Sequence, residues 1–169
     1  LAADFALKYP DVRLEVTMED RLVDMVEEGY DLTIRVNPKP DETLVGRVFL
    51  RDRLVVVARS DHPRPIDGQP VPAVIRGSND RTIVWSVQTP TGRQQINADP
   101  VLRLPSLVMI RDAVREGVGA ACLPVSLVGH DLKAGTLVHW GDVEGSDVAL
   151  WALYPSRRLL NSRVSAFLD

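Results

Sequence analysis

The stretch from Val12 to Val36 changes its hydrophobic period twice, and no other feature restricts the fold of this chain as much. Val12, Leu14 and Val16 alternate with Arg13, Glu15 and Thr17, the period of two expected of a strand with one better-buried face. Leu22, Val23, Met25 and Val26 then form an apolar stripe at helical spacing, with Asp20 placed as an N-cap and Gly29 as a terminator. Leu32, Ile34 and Val36 return to alternation. Strand, helix and strand in that order predict a βαβ unit with a parallel sheet and a right-handed crossover.

The same reasoning extends along the chain. Leu1 and Phe5, with Ala2 and Ala6, predict a helix up to Tyr9 that Pro10 stops. Residues 44–58 read as extended, with a polar break at Arg51-Asp52-Arg53 and then the run Leu54-Val55-Val56-Val57, which suits a central strand buried on both faces. Pro63, Pro65, Pro70, Pro72 and Gly68 predict an irregular loop over 60–72. Residues 82–87 and 93–98 flank Gln88-Thr89-Pro90-Thr91-Gly92 as an antiparallel hairpin, and a separate strand is expected over 101–104. Leu107, Ile110, Ala113 and Val114 predict a helix from Ser106 to Gly117, followed by a short buried strand over 120–123. A helix over 125–133, extended segments at 136–140 and 148–154, and a last helix complete the pattern. Ser156 is the expected N-cap of that helix, and Leu160, Val164, Phe167 and Leu168 its apolar face. The alternation of elements gives two α/β lobes, with a boundary near residue 53.

Composition excludes several function classes. A formal net charge of −3 without a cluster of Lys and Arg argues against direct nucleic-acid binding. Cys122 is the single cysteine, so neither an intramolecular disulfide nor a cysteine zinc cluster can form, which is compatible with a reducing cytoplasm. Its setting between Ala121 and Leu123 predicts a buried, inert thiol. No uninterrupted apolar run is long enough for a membrane span, and Leu1-Ala2-Ala3-Asp4-Phe5 lacks the features of a signal peptide. With no initiator Met and an immediate helical pattern, the chain is expected to begin inside an element whose preceding partner is missing. His62, His130 and His139 have no metal-ligand spacing, so no metal site is expected. Gly117-Val118-Gly119 leads from a helix into a strand, the reverse of the order in a dinucleotide-binding turn. With no nucleophile elbow, P-loop or supported Cys-His pair, neither a cofactor nor enzymatic activity is expected.

Several stretches together resemble the effector-binding domain of LysR-type transcriptional regulators. They are Tyr9-Pro10-Asp11-Val12-Arg13-Leu14, Arg21-Leu22-Val23-Asp24, Glu27-Glu28-Gly29-Tyr30-Asp31-Leu32-Thr33-Ile34-Arg35-Val36, Arg111-Asp112-Ala113-Val114, Gly117-Val118-Gly119-Ala120-Ala121-Cys122-Leu123-Pro124 and Ala152-Leu153-Tyr154-Pro155-Ser156-Arg157-Arg158. The resemblance implies two Rossmann-like lobes in a periplasmic-binding-protein-like (type 2) fold, with a small-molecule effector in the cleft between them. Lobe I would comprise residues 1–52 plus 144–169 and lobe II residues 53–143. It also implies a homodimer, a tetramer when full-length, and DNA binding only through an N-terminal winged helix-turn-helix head that this sequence does not contain. The family's first strand of lobe I should likewise precede Leu1. The expected effector is an organic acid, and the expected location the cytoplasm. A periplasmic or extracellular solute-binding protein and a two-lobed enzyme of the prephenate-dehydratase type share the architecture and remain alternatives.

Ligands in open α/β sheets sit outside the carboxyl ends of the strands, near helix N-termini. Four places follow. Met18-Glu19-Asp20 matches an effector-contact region of the family, although Asp20 also serves as an N-cap and two acids disfavour an anion there. Arg35-Val36-Asn37 puts a guanidinium at a strand end, suited to a carboxylate ligand or to a structural ion pair. Arg76, Ser78 and Asn79 lie in a polar turn after an apolar strand, either as ligand contacts or as a solvated loop. Pro105-Ser106 opens a helix, where the hydroxyl can cap, contact a ligand, or both.

Overall fold

The computed structural model describes residues 2–17, 27–39, 44–66, 68–77, 83–155 and 162–168. In chain order the elements are α1 (Ala2–Lys8), β1 (Thr33–Val36), β2 (Leu44–Asp52), β3 (Leu54–Arg59), β4 (Pro70–Arg76), β5 (Ile83–Thr89), β6 (Gly92–Leu104), α2 (Leu107–Arg115), β7 (Ala121–Pro124), α3 (Val125–Ala134), β8 (Leu137–Val143), β9 (Val148–Pro155) and α4 (Ser162–Leu168). They form two compact units, one of Leu1–Arg51 with Ala149–Asp169 and one of Asp52–Val148. The chain leaves the first unit at Arg51 and returns to it at Ala149.

The first unit holds a three-stranded sheet in the order β1-β9-β2. Phe5 of α1 is buried, 4.9 Å from the Tyr9 ring and edge-on to Phe167 of α4 at 5.1 Å, so an aromatic cluster joins the two helices. Two expectations are corrected here. Residues 12–17 form no strand: no described strand pairs with them, and Val16 is 70% exposed. Alternation fixes which side chains share a face, but a strand also needs a partner for its backbone groups. In addition, β1 pairs antiparallel with β9, from Thr33 opposite Leu153 to Val36 opposite Leu150, rather than lying in a parallel crossover. That register half-buries Thr33 and Arg35 and leaves Ile34 and Val36 exposed, the reverse of the predicted burial. A period of two assigns residues to faces without saying which face is covered. The expected helix with Leu22 and Met25, and the Ser156 cap, lie outside the described residues.

The second unit is a six-stranded sheet in the order β4-β6-β5-β8-β3-β7. β4 is parallel to β6, while the β6–β5, β5–β8, β8–β3 and β3–β7 pairs are antiparallel. The sheet curls until its two ends meet, where Ala73 bridges Ala120. There the Val74 amide donates to the Ala120 carbonyl and the Ala120 amide to the Pro72 carbonyl, both at 2.8 Å. Curling gives the sheet two buried faces. Val56, Ala58, Ala73, Trp85, Val87, Ile96 and Trp140 fill the inner face. Val55, Val57, Val74, Leu123 and Leu137 on the outer face pack under Ile110 and Val114 of α2 and Val128 of α3. The Val run of β3 therefore contributes to both cores, each valine at or below 1% exposure and worth about 1.5–3 kcal/mol of burial.

Two strands are longer than predicted. β4 already begins at Pro70, inside the expected loop, with Pro70 and Pro72 facing outward on the terminal strand where a missing N–H costs little. The segments at 93–98 and 101–104 form one strand, because the β4–β6 register skips Val101, the extra residue of a bulge, and continues.

Polar contacts from distant residues finish the helices. α3 has Pro124 at its N-cap, which has no side chain that could cap it. Asp52 supplies the cap instead: both carboxylate oxygens accept from the Ser126 amide at 3.3 Å, and Oδ2 also accepts from the Ser126 hydroxyl. Arg115 of α2 donates from Nε and Nη2 to the two oxygens of Asp131 on α3, at 2.8 and 2.9 Å, with Thr136 Oγ1 donating to Oδ1 at 3.1 Å. The Asp131 side chain is only 5% exposed. The guanidinium holds its carboxyl below the usual carboxylate range. Cys122 faces the inner core, and burial pushes its thiol up to about 11.

Two outcomes follow from these contacts. A Cβ at Gly119 would collide with the Pro72 carbonyl and lie 3.0 Å from the Ala73 nitrogen, both rigid backbone. Gly119→Ala should therefore cost about 1–3 kcal/mol, read as a lower urea midpoint with unchanged slope. Because the folded Asp131 value is depressed, its contribution is complete above the unfolded carboxylate value of about 4 and is lost as pH falls through the lower folded value. Asp131→Asn should unfold at lower urea than the parent at pH 7, and the two midpoints should converge as the solution is acidified below about pH 4.

Candidate functional site

β4 and β6 run parallel, so both end at one edge of the second unit. Their register sets Arg76 opposite Leu104, which places the polar turn Arg76-Gly77 beside Pro105-Ser106 and the start of α2. Two of the four places singled out by sequence are thereby brought together. Ser106 occupies the N-cap with extended backbone (φ −118, ψ 135), and its carbonyl accepts from the Ile110 amide at 3.0 Å. Its half-buried hydroxyl makes no capping bond, contrary to the capping role allowed for it, and the first turn of α2 carries no acid. A helix N-terminus free of carboxylates beside an exposed arginine is electrostatically suited to an anion. Ser78 and Asn79, expected at the same turn, lie outside the described residues.

In the first unit, Arg35 sits half-buried opposite Trp151, followed by the exposed Val36. Asn37 adopts a left-handed conformation at φ 40, one that asparagine tolerates better than most residues. Its amide donates to the Ala149 carbonyl and its Oδ1 accepts from the Ala149 amide, both at 2.9 Å. The side chain thus extends the β1–β9 ladder by one step, so its carbonyl oxygen has a structural use. Met18, Glu19 and Asp20 lie outside the described residues.

Among the described residues no group of three or more His, Cys, Asp or Glu could hold a metal ion. His62 lies against Trp140, with ring centroids 5.9 Å apart, and His139 Nε2 is 2.9 Å from Asp142 Oδ1. No described helix is long and apolar enough to cross a membrane. The sequence reading missed a polar pocket of about 800 Å³ at the edge of the second unit where β4 and β6 begin. Its walls come from the loop before β4, the β5–β6 turn and the first residues of β6, which are brought together only by the fold.

Comparison with known proteins agrees with this architecture. The LysR substrate binding domain model matches residues 1–169. The chain is 25% identical over 177 residues to the HTH-type transcriptional regulator YhjC of Escherichia coli K12, covering 99% of this chain and 59% of YhjC. It is 26% identical over 180 residues to CrgA of Neisseria meningitidis, covering all of this chain and 59% of CrgA. The solved CrgA regulatory domain superposes with a TM-score of 0.75 at 23% identity, over 99% of this chain and 86% of that domain. The chain therefore spans about three fifths of the length of these full-length relatives and most of the isolated regulatory domain. Matched along its entire length, the chain belongs to the LysR substrate-binding domain family.

Proposed function

We propose that this chain is the effector-sensing and oligomerisation domain of a bacterial LysR-type transcriptional regulator, and that a small organic acid binding between its lobes biases their arrangement. The observation that carries this reading is the family match over residues 1–169, together with relatives named as HTH-type transcriptional regulators. A ligand shifts such a domain only by the difference in its affinity for two arrangements. The anionic class is supported by Arg76, the carboxylate-free first turn of α2, and Arg35 at the end of β1. DNA binding belongs to a part of the regulator outside this chain, in keeping with the net charge of −3, and the site of action is the cytoplasm. On this reading the domain senses and does not catalyse. Helix α1 and residues 12–17, with Leu14 and Val16 exposed, supply the dimer contact, and dimers pair into tetramers in the full-length protein.

In a thermal-melt screen of small carboxylates, one acid should stabilise the chain by ~2.7 kcal/mol when present at about 100 times its dissociation constant. Arg35→Ala and Arg76→Ala should each lose that shift while the free chain still unfolds in one cooperative transition. A screen with no responding carboxylate, or variants that respond as the parent does, would overturn the assignment. Sedimentation at rising concentration should reveal a dimer, and a chain that stays monomeric throughout would remove the contact assigned to α1 and residues 12–17.

A further inference from the structure

The chain enters the second unit through Asp52-Arg53-Leu54 and leaves it through residues 143–148, and the two passages are bonded to the sheet and to each other. On the β7 side, the Val125 amide donates to the Arg53 carbonyl at 3.0 Å, which carries the β3–β7 ladder one residue past the pairing of Leu54 with Pro124. Asp52 Oδ1 accepts from the Ser126 amide at 3.3 Å and from the Arg53 amide at 2.8 Å. The entry passage is therefore held from Asp52 onward.

On the β8 side the next step is made by a side chain. The β3–β8 ladder reaches Val55 opposite Asp142, so Leu54 and Val143 stand where the following pair would form. The half-buried Ser146 hydroxyl bridges them, accepting from the Leu54 amide at 3.1 Å and donating to the Val143 carbonyl at 2.6 Å. A hydroxyl carries one proton and two lone pairs, so it makes both bonds at once. Gly145, at φ 65, supplies the left-handed turn that brings Ser146 back to the strand end, and the Glu144 amide ties the start of that turn to the Ser86 carbonyl of β5 at 2.9 Å. Further along, Ala149 exchanges two bonds of 2.9 Å with Asn37 of the first unit, one of them through the asparagine side chain. Asp147 and Val148 lie between these two anchors.

We propose that Ser146 staples the entering and leaving passages into one fixed base of the second unit, and that the torsions of Asp147 and Val148 form the hinge of the leaving passage. The staple keeps β3 and β8 undistorted when the units change their arrangement. The hinge rests on the sensing role proposed above, which requires such a change, whereas the staple rests on its own bonds within residues 52–148. Removing the hydroxyl takes a partner from both Leu54 and Val143 at a half-buried rung, so the loss is a local opening rather than global unfolding.

The test is amide-resolved NMR of the isotope-labelled chain with no ligand added, comparing the parent with Ser146→Ala and Ser146→Thr. Hydrogen exchange at Leu54 should quicken about tenfold or more in Ser146→Ala while Val56 and Val57 keep their rates, and Ser146→Thr, which retains a hydroxyl, should restore most of the protection. Amide nitrogen relaxation in the parent should show excess motion, as lowered order parameters or millisecond exchange, confined to Asp147 and Val148. In Ser146→Ala that motion should spread back to residues 143–146. Unchanged Leu54 exchange in Ser146→Ala would overturn the staple. A parent in which Asp147 and Val148 are as rigid as Ala149, or in which residues 143–148 are all equally mobile, would overturn the hinge. Because no ligand takes part, these outcomes stand apart from the result of the carboxylate screen.

Discussion

The meeting of two backbone segments, Pro72-Ala73-Val74 and Gly119-Ala120, is the constraint on which the second unit depends. It joins the outermost strands of a six-stranded sheet, and it can form only because the residues at the contact are small: Ala73 and Ala120 are fully buried, and Gly119 has its place for a Cβ taken by the Pro72 carbonyl. Closure converts a sheet with one core into one with two. The inner face is filled by strand residues, including Trp85 and Trp140, together with Ala120, and the outer face is covered by α2 and α3. Trp140 reaches the inner core because the β3–β8 register passes from Gly141 to His139 and skips it. A bulge there changes where one large side chain points without ending the strand.

Closure also polarises the unit. β4 and β6 are its one parallel pair among the described strands, so their starts and ends lie at opposite edges, and each edge collects groups from separate parts of the sequence. At the carboxyl edge these are an arginine and a helix N-terminus. At the other edge a Pro-containing loop faces a hairpin turn. Hydrogen bonds donated to backbone carbonyls by Arg64, Thr89 and Asn97 tie the groups of that second edge together.

Family membership follows from the match along the whole chain, and the curled mixed sheet agrees with it. Much of this was legible beforehand. The four buried residues from Val55 to Ala58, the hairpin around Pro90-Thr91, and the α2–β7–α3 succession all arise from local patterns strong enough to survive any packing. Arg76 and Ser106 could be named one at a time because each follows an apolar strand in a run of polar or helix-opening residues. Their adjacency could not be named, since it depends on β4 pairing with β6 in parallel across the intervening β5.

Sequence by itself determined the types of the strongly patterned elements such as β3, α2, β7 and α3, the inert setting of Cys122 and the α/β class, because hydrophobic period and turn chemistry act over a few neighbouring residues. Tertiary structure alone decided which alternating segments became strands and which faces were covered. Residues 12–17 alternate as well as β1 does, yet only β1 has a described partner for its backbone. Helix ends show the same division: Pro124 cannot cap α3, and the carboxylate that does so comes from Asp52, far away in sequence. Strand pairing and capping of this kind are contacts between distant residues, and periodicity along a chain contains no information about them.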